Sequence, residues 1–248
     1  MKQYRRVRDF AKSTLYGNDG RVGTVQELYF DDQTWIVRYL VMRTDGRLMG
    51  REVLIAPVTI ADIDDADASL RINLRKKQIE ESPSIDRAKP ISRRFEEVYY
   101  KHFQWQPYWQ PDSPEYGNPI RFLDDSTMII DKPLLPEPWE RSYLRSSAEV
   151  IGCGIHAKDG EIGRLDDLVV NDEDWMIRYV QVDTRNWLPG KKVLVPTHRI
   201  QQIDWANRSI TMSLTRRAIE SAPAHDPSNP VTPDYEVALF KHYGEGAA

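Results

Sequence analysis

"TWIVRYLVMRTDG" runs from Thr34 to Gly46, and "DWMIRYVQVDTRN" runs from Asp174 to Asn186. Trp35, Arg38, Tyr39 and Thr44 of the first return as Trp175, Arg178, Tyr179 and Thr184, always 140 positions on. The same offset carries Asp19-Gly20 onto Asp159-Gly160, Gly23 onto Gly163, Val53-Leu54 onto Val193-Leu194, Ile63-Asp64 onto Ile203-Asp204, and Lys101-His102 onto Lys241-His242. About 27 of 91 aligned positions are identical without a gap, which marks an internal duplication. The reading is therefore two units, residues 4–103 and 143–243, joined by a linker over 104–142, and each unit has an ordinary domain size.

Working outward from the quoted strand, "GRVGTVQELYF" opens at a glycine turn into an extended run, and "FDDQTW" turns it back as a hairpin. "REVLIAP" and "KKVLVPT" are short β-branched runs that end near proline, and "DDADAS" and "WANRS" carry turn formers between a further strand pair. Five or six such strands per unit predict a mainly β chain of two small β-barrels, each followed by short helices. "TRRAIESAP" predicts a short helix capped by Thr215, with "RKKQIEESP" its twin. In "SRRFEEVYYKHF" the residues Phe95, Val98, Tyr99, His102 and Phe103 lie at helical spacing and predict an amphipathic helix, repeated by Tyr235, Ala238, Leu239, His242 and Tyr243. Strict alternation along the quoted strand puts Ile36, Arg38, Leu40 and Met42 on one face and Trp35, Val37, Tyr39 and Val41 on the other. Both faces then need cover, one from the barrel interior and one from the trailing helix or the other unit.

In order along the chain, "DGxxG", "W-x-x-R-Y" and "V-L-x-x-P" resemble the PRC-barrel family, and the flanks "SPSIDRAKP" and "APAHDPSNP" with the helices that follow resemble its bacterial tandem members. The resemblance implies a six-stranded barrel and a docking or scaffolding role rather than catalysis. It also relates the chain to the cytoplasmic domain of the photosynthetic reaction-centre H subunit and to the barrel of a ribosome maturation factor. A reaction-centre-associated protein, docked peripherally on a membrane complex, and an RNA-associated factor are therefore the alternative readings.

Composition narrows these. Lys plus Arg number 34 against 38 Asp plus Glu, a net charge of −4 that argues against a large nucleic-acid footprint. No run approaches the roughly 18–20 apolar residues that span a bilayer, and the basic N-terminus lacks the apolar core of a secretory signal, so the expected location is cytoplasmic. The single cysteine, Cys153, excludes an intrachain disulfide and has no duplicated histidine to activate it. His102 and His242 read as packed residues, and His156, His198 and His225 have no repeated histidine. Asp62, Asp64, Asp65 and Asp67 lack the glycine and final glutamate of a calcium loop. With no zinc spacing, phosphate loop or nucleophile elbow, the chain reads as a non-enzyme without cofactor or metal.

The remaining candidates are structural or interfacial. Trp35, Tyr39, Trp175 and Tyr179 read as packing residues, and Arg38 and Arg178 as ion pairs with Asp64 and Asp204. Lys76, Lys77, Arg216 and Arg217 form a duplicated basic step at a helix start, a candidate for meeting an acidic partner. The proline- and aromatic-rich linker contributes Trp105, Tyr108 and Trp109, read as a strap between the units or a recognition segment for a protein partner, a second copy included.

Overall fold

The computed structural model describes residues 4–45, 50–86, 89–109, 143–184 and 191–244. Most of the linker, together with residues 46–49 and 185–190, lies outside the described residues. The chain is mainly β. Its first half contains β1 (Tyr4–Arg6), α1 (Val7–Phe10), β2 (Thr14–Gly17), β3 (Gly20–Asp31), β4 (Val37–Thr44), β5 (Glu52–Ile55), β6 (Ile60–Asp64), β7 (Ser69–Ile72), α2 (Lys76–Glu80) and α3 (Arg93–Phe103). The second half repeats the order as β8 (Leu144–Ser146), α4 (Ser147–Val150), β9 (Gly154–Ala157), β10 (Gly160–Asn171), β11 (Ile177–Asp183), β12 (Lys192–Pro196), β13 (Ile200–Asp204), β14 (Ser209–Met212), α5 (Arg216–Glu220) and α6 (Pro233–Tyr243).

Two sheets result, with strand orders β5-β4-β3-β2-β7-β6 and β12-β11-β10-β9-β14-β13. The duplicated glycines explain part of this path. Gly23 and Gly163 sit where a Cβ would lie 2.2 Å from the Arg43 carbonyl oxygen and 2.1 Å from that of Asp183, so no side chain fits at the β3–β4 and β10–β11 crossings. Asp19 and Asp159 accept the backbone amides of Lys76 and Arg216 at 2.9 and 2.6 Å, which ties the Asp-Gly turn to the start of the next short helix.

Neither sheet closes into the expected barrel. After β5 and β12 the chain makes a 3-10 turn, Pro57–Thr59 or Thr197–Arg199, and the next strand pairs forward with β7 or β14 instead of back. The free edges of β5 and β12 are met by the segment behind the short helix, through bridges Val53 to Ser84 and Val193 to Ala224. Covering an edge with loop backbone satisfies its hydrogen-bonding groups without closure.

The seventh strand of each sheet comes from the other half. β1 pairs with β10, Arg5 opposite Val170, and β8 pairs with β3, Arg145 opposite Phe30. A single apolar cluster accordingly runs through both halves, from Phe10, Leu15, Leu28 and Phe30 to Ile155, Leu168, Val180 and Leu194. Tyr39, Val41, Leu54, Tyr99, Tyr100 and Tyr108 form a second cluster between the first sheet and α3.

The strict alternation expected along β4 fails at Arg38. Tyr29 faces Tyr39 while the next residue, Phe30, faces Val37, so Arg38 is an extra residue in β4; Val169, Tyr179, Val170 and Ile177 place Arg178 the same way in β11. Such a bulge redirects the side chains before it. Val37 therefore joins Leu40 and Met42 in the main core, while Tyr39 and Val41 face the helix. The helix stripe is also turned from the expected one: Val98 is 53% exposed, and the buried line is Glu96, Tyr99 and Tyr100. A carboxylate, not a valine, occupies the inward position.

Candidate functional site

The seam between the halves brings the duplicated residues together. Trp35 and Trp175 sit at the two hairpin tips with φ of 60° and 57°, a left-handed conformation that costs a bulky residue roughly 1–2 kcal/mol. Two things offset it. Trp35 stacks on Phe30 at 5.2 Å and Trp175 packs on Phe10 at 5.4 Å. The same turn also aims each tryptophan carbonyl across the seam, where Trp175 accepts from the Val37 amide and Trp35 from the Ile177 amide, both at 2.8 Å.

Charged pairs repeat the reciprocity. Arg5 Nε donates to Asp172 at 2.8 Å, and its duplicate Arg145 donates to Asp32, the duplicate of Asp172, at 3.1 Å. Arg5 adds an ion pair with Asp65, and where the second half has Trp205 in place of Asp65, Arg145 lies 4.6 Å over that ring. Each exchanged arginine is thus held by an aspartate of the half it visits and by a second side chain of its own half.

Tyr39 and Tyr179 each donate to a glutamate of the trailing helix in their own half. Glu96, fully buried, accepts the Tyr39 hydroxyl at 2.8 Å and the Tyr108 hydroxyl at 3.0 Å, and pairs with Arg93 at 3.0 Å. Burial pushes its carboxyl up, against the pull of Arg93 and the two hydroxyls. Glu236 accepts the Tyr179 hydroxyl at 2.6 Å and the Tyr4 hydroxyl at 2.7 Å. One carboxylate between two tyrosines recurs, but the second tyrosine arrives from the linker in one half and from the exchanged strand β1 in the other.

The expected partners of the repeated arginines are elsewhere. Asp64 accepts the Ala66 and Asp67 amides and Asp204 accepts Asn207, each closing its own turn. Arg178 pairs with Asp174. Arg38 lies 3.9 Å over the Tyr108 ring, and its buried Nε meets no hydrogen-bond partner among the described residues. Sheet order keeps these residues apart: β3, β2 and β7 lie between β4 and β6, and β10, β9 and β14 lie between β11 and β13.

Beside Arg38 the seam opens into a cleft of about 370 Å³, lined by Arg38, Pro57, Val58 and Tyr100 on one side and Glu173 and Trp175 on the other. Val58 is 64% exposed at its lip. Trp105, Tyr108 and Trp109 pack against the aromatic face of α3, Trp105 stacking on Phe103 at 4.6 Å, so the described part of the linker straps to the first half. Lys77 reaches Glu81 at 3.8 Å with both side chains exposed. His102 and His242 bond the Gln78 and Ala218 carbonyls at 3.2 and 2.7 Å and anchor each trailing helix. Cys153 is buried, and burial pushes its thiol up, away from the nucleophilic form.

Sequence reasoning passed over Glu96, Glu236, Arg5, Arg145, Asp32 and Asp172. All six are identical across the 140-residue offset, and that identity was the available signal.

Residues 145–216 match the PRC-barrel domain family, a match that supports a binding or scaffold role for this part of the chain. No curated protein matches the chain. Among the described residues no helix is long and apolar enough to cross a membrane, and no cluster of histidine, cysteine and carboxylate side chains is suited to a metal.

Proposed function

We propose that the chain is a tandem PRC-barrel protein, a bacterial-type cytoplasmic scaffold without catalytic activity, whose two halves together present a docking site for a protein partner at their seam. The observation that carries this reading is the reciprocity itself: the matched segment 145–216 has its 140-residue counterpart in residues 5–76, with the same strand order and mutually exchanged strands. Such an arrangement holds two domains in one fixed relation, the requirement of a platform rather than of an enzyme.

The seam cleft supplies the contact chemistry. An apolar lip at Pro57 and Val58, with Arg38 on one wall and Glu173 on the other, fits a partner loop that inserts an aliphatic side chain between polar groups. The test is affinity capture from native lysate with the unaltered chain and with an Arg38→Ala, Val58→Arg variant of unchanged melting temperature. Loss of a specific partner with the variant is expected. Equal recovery by both contradicts docking at the seam.

A further inference from the structure

A second cleft, of about 270 Å³, lies away from the seam cleft, between the exchanged strand β1 and the loop that follows α5. Tyr4, Arg5 and Arg6 line one side, His225 and the Pro227–Val231 segment the other. His225 is 7% exposed, and its Nε2 has no hydrogen-bond partner among the described residues.

The protonation pattern around that imidazole follows from its neighbours. Asp166 takes Lys192 Nζ at 2.6 Å and Gln181 Nε2 at 2.5 Å on one oxygen; burial pushes its carboxyl up, but these bonds prevail and hold it below the usual range. An ionised carboxylate only accepts, which fixes the Gln181 amide with its NH2 toward Asp166 and its oxygen toward His225. Gln181 Oε1 stands 3.2 Å from His225 Nδ1, so Nδ1 carries the proton. Nε2 is then a bare, buried lone pair on a ring that lines the cleft. Burial and Arg6 both hold the ring in its neutral form.

Charge at the cleft is already balanced. Arg6 is paired with Asp9 at 2.6 Å, and Arg5 with Asp172 and Asp65. An anion therefore finds no free countercharge, whereas an uncharged donor finds an acceptor whose isolation costs roughly 1–3 kcal/mol until it is met. We propose that this cleft binds a small uncharged molecule, the size of a monosaccharide or nucleobase, which donates an O–H or N–H hydrogen bond to His225 Nε2. The site belongs to the second half alone, because Asp166, Gln181, Lys192 and His225 stand where the first half has Gln26, Val41, Glu52 and Ile85.

Imidazole ¹⁵N spectra of the full-length chain, titrated separately with D-glucose, uracil and inorganic phosphate, test this. The free protein is expected to show His225 protonated on Nδ1. Glucose or uracil is expected to shift Nε2 and the Ser228 and Asn229 amides saturably at millimolar concentration, with at least a tenfold loss of affinity in His225→Ile. A proton on Nε2, no response to either uncharged probe, or a saturable response to phosphate at the same residues overturns the proposal. The wild-type titration decides the matter even where the variant does not fold.

Discussion

The two halves share a strand order but finish the outer face of that order with opposite materials. Where the first half buries Val41 beside Tyr99, Tyr100 and Tyr108, the second carries Gln181, bonded to His225 and Asp166. The first half's carboxylate is sealed by an arginine and two rings; the second half's Glu236 is only half-buried and has a proline, Pro233, in place of Arg93. A duplicated fold thus covers this face with aromatic packing in the first copy and with an amide, an imidazole and a carboxylate bonded in series in the second.

The largest expected effect lies at the carboxylates. Glu96→Ala strands Arg93 and two buried hydroxyls and is expected to lower unfolding free energy by about 3–5 kcal/mol, against about 1–2 for Glu236→Ala. Urea denaturation of the two variants reads the difference, and equal losses erase the contrast between a sealed and an open half.

Next come the exchanged strands. Arg5→Met removes a guanidinium whose side chain is 9% exposed and is expected to cost about 3 kcal/mol. Arg145→Met removes one that is 37% exposed and is expected to cost under about 1 kcal/mol. A reversed order would mean that the second half's strand, not the first's, is the firmer tie.

Asp167 sharpens the comparison through pH. Burial pushes its carboxyl up to about 6, only partly countered by the Leu168 amide and Arg8, and one of its oxygens has no hydrogen bond among the described residues. Because the folded state holds this proton more tightly than the unfolded chain, the stability contributed by this group is greatest below the ordinary aspartate range and is lost as pH rises through about 6. Asp167→Asn is expected to gain about 2–3 kcal/mol at pH 7 and to flatten that part of the stability profile. The smallest effect is at the basic step: Lys77→Ala is expected to stay within about 0.5 kcal/mol, as solvated surface charges do.

Much of this was legible from sequence, and the limits are physical. The hairpins, the Thr215 cap and the short strands came from local period and turn chemistry, because those signals lie within a few residues of one another, and the repeat came from the constant 140-residue offset. The bulge at Arg38 did not, since one extra residue leaves the local pattern intact and shows only in the pairing with β3. Strand exchange was invisible for a related reason. Arg5, Asp32, Arg145 and Asp172 repeat faithfully at the 140-residue offset, but self-comparison shows which residues recur and not which half each one contacts. Glu96 was passed over because a charged residue beside an apolar stripe normally marks the solvated face, whereas here Arg93 and two tyrosine hydroxyls offset the cost of burying it.

Native-state hydrogen exchange tests the strand exchange most directly. A Val180→Ala substitution weakens the core of the second sheet, and residue-resolved exchange then shows which amides open with it. The account predicts that the amides of residues 4–6 lose protection together with β10 and β11, while those of 144–146 keep the protection of β3. If residues 4–6 instead stay with β2 and β3, and 144–146 open with the second half, each half holds its own first strand and the reciprocal seam does not exist.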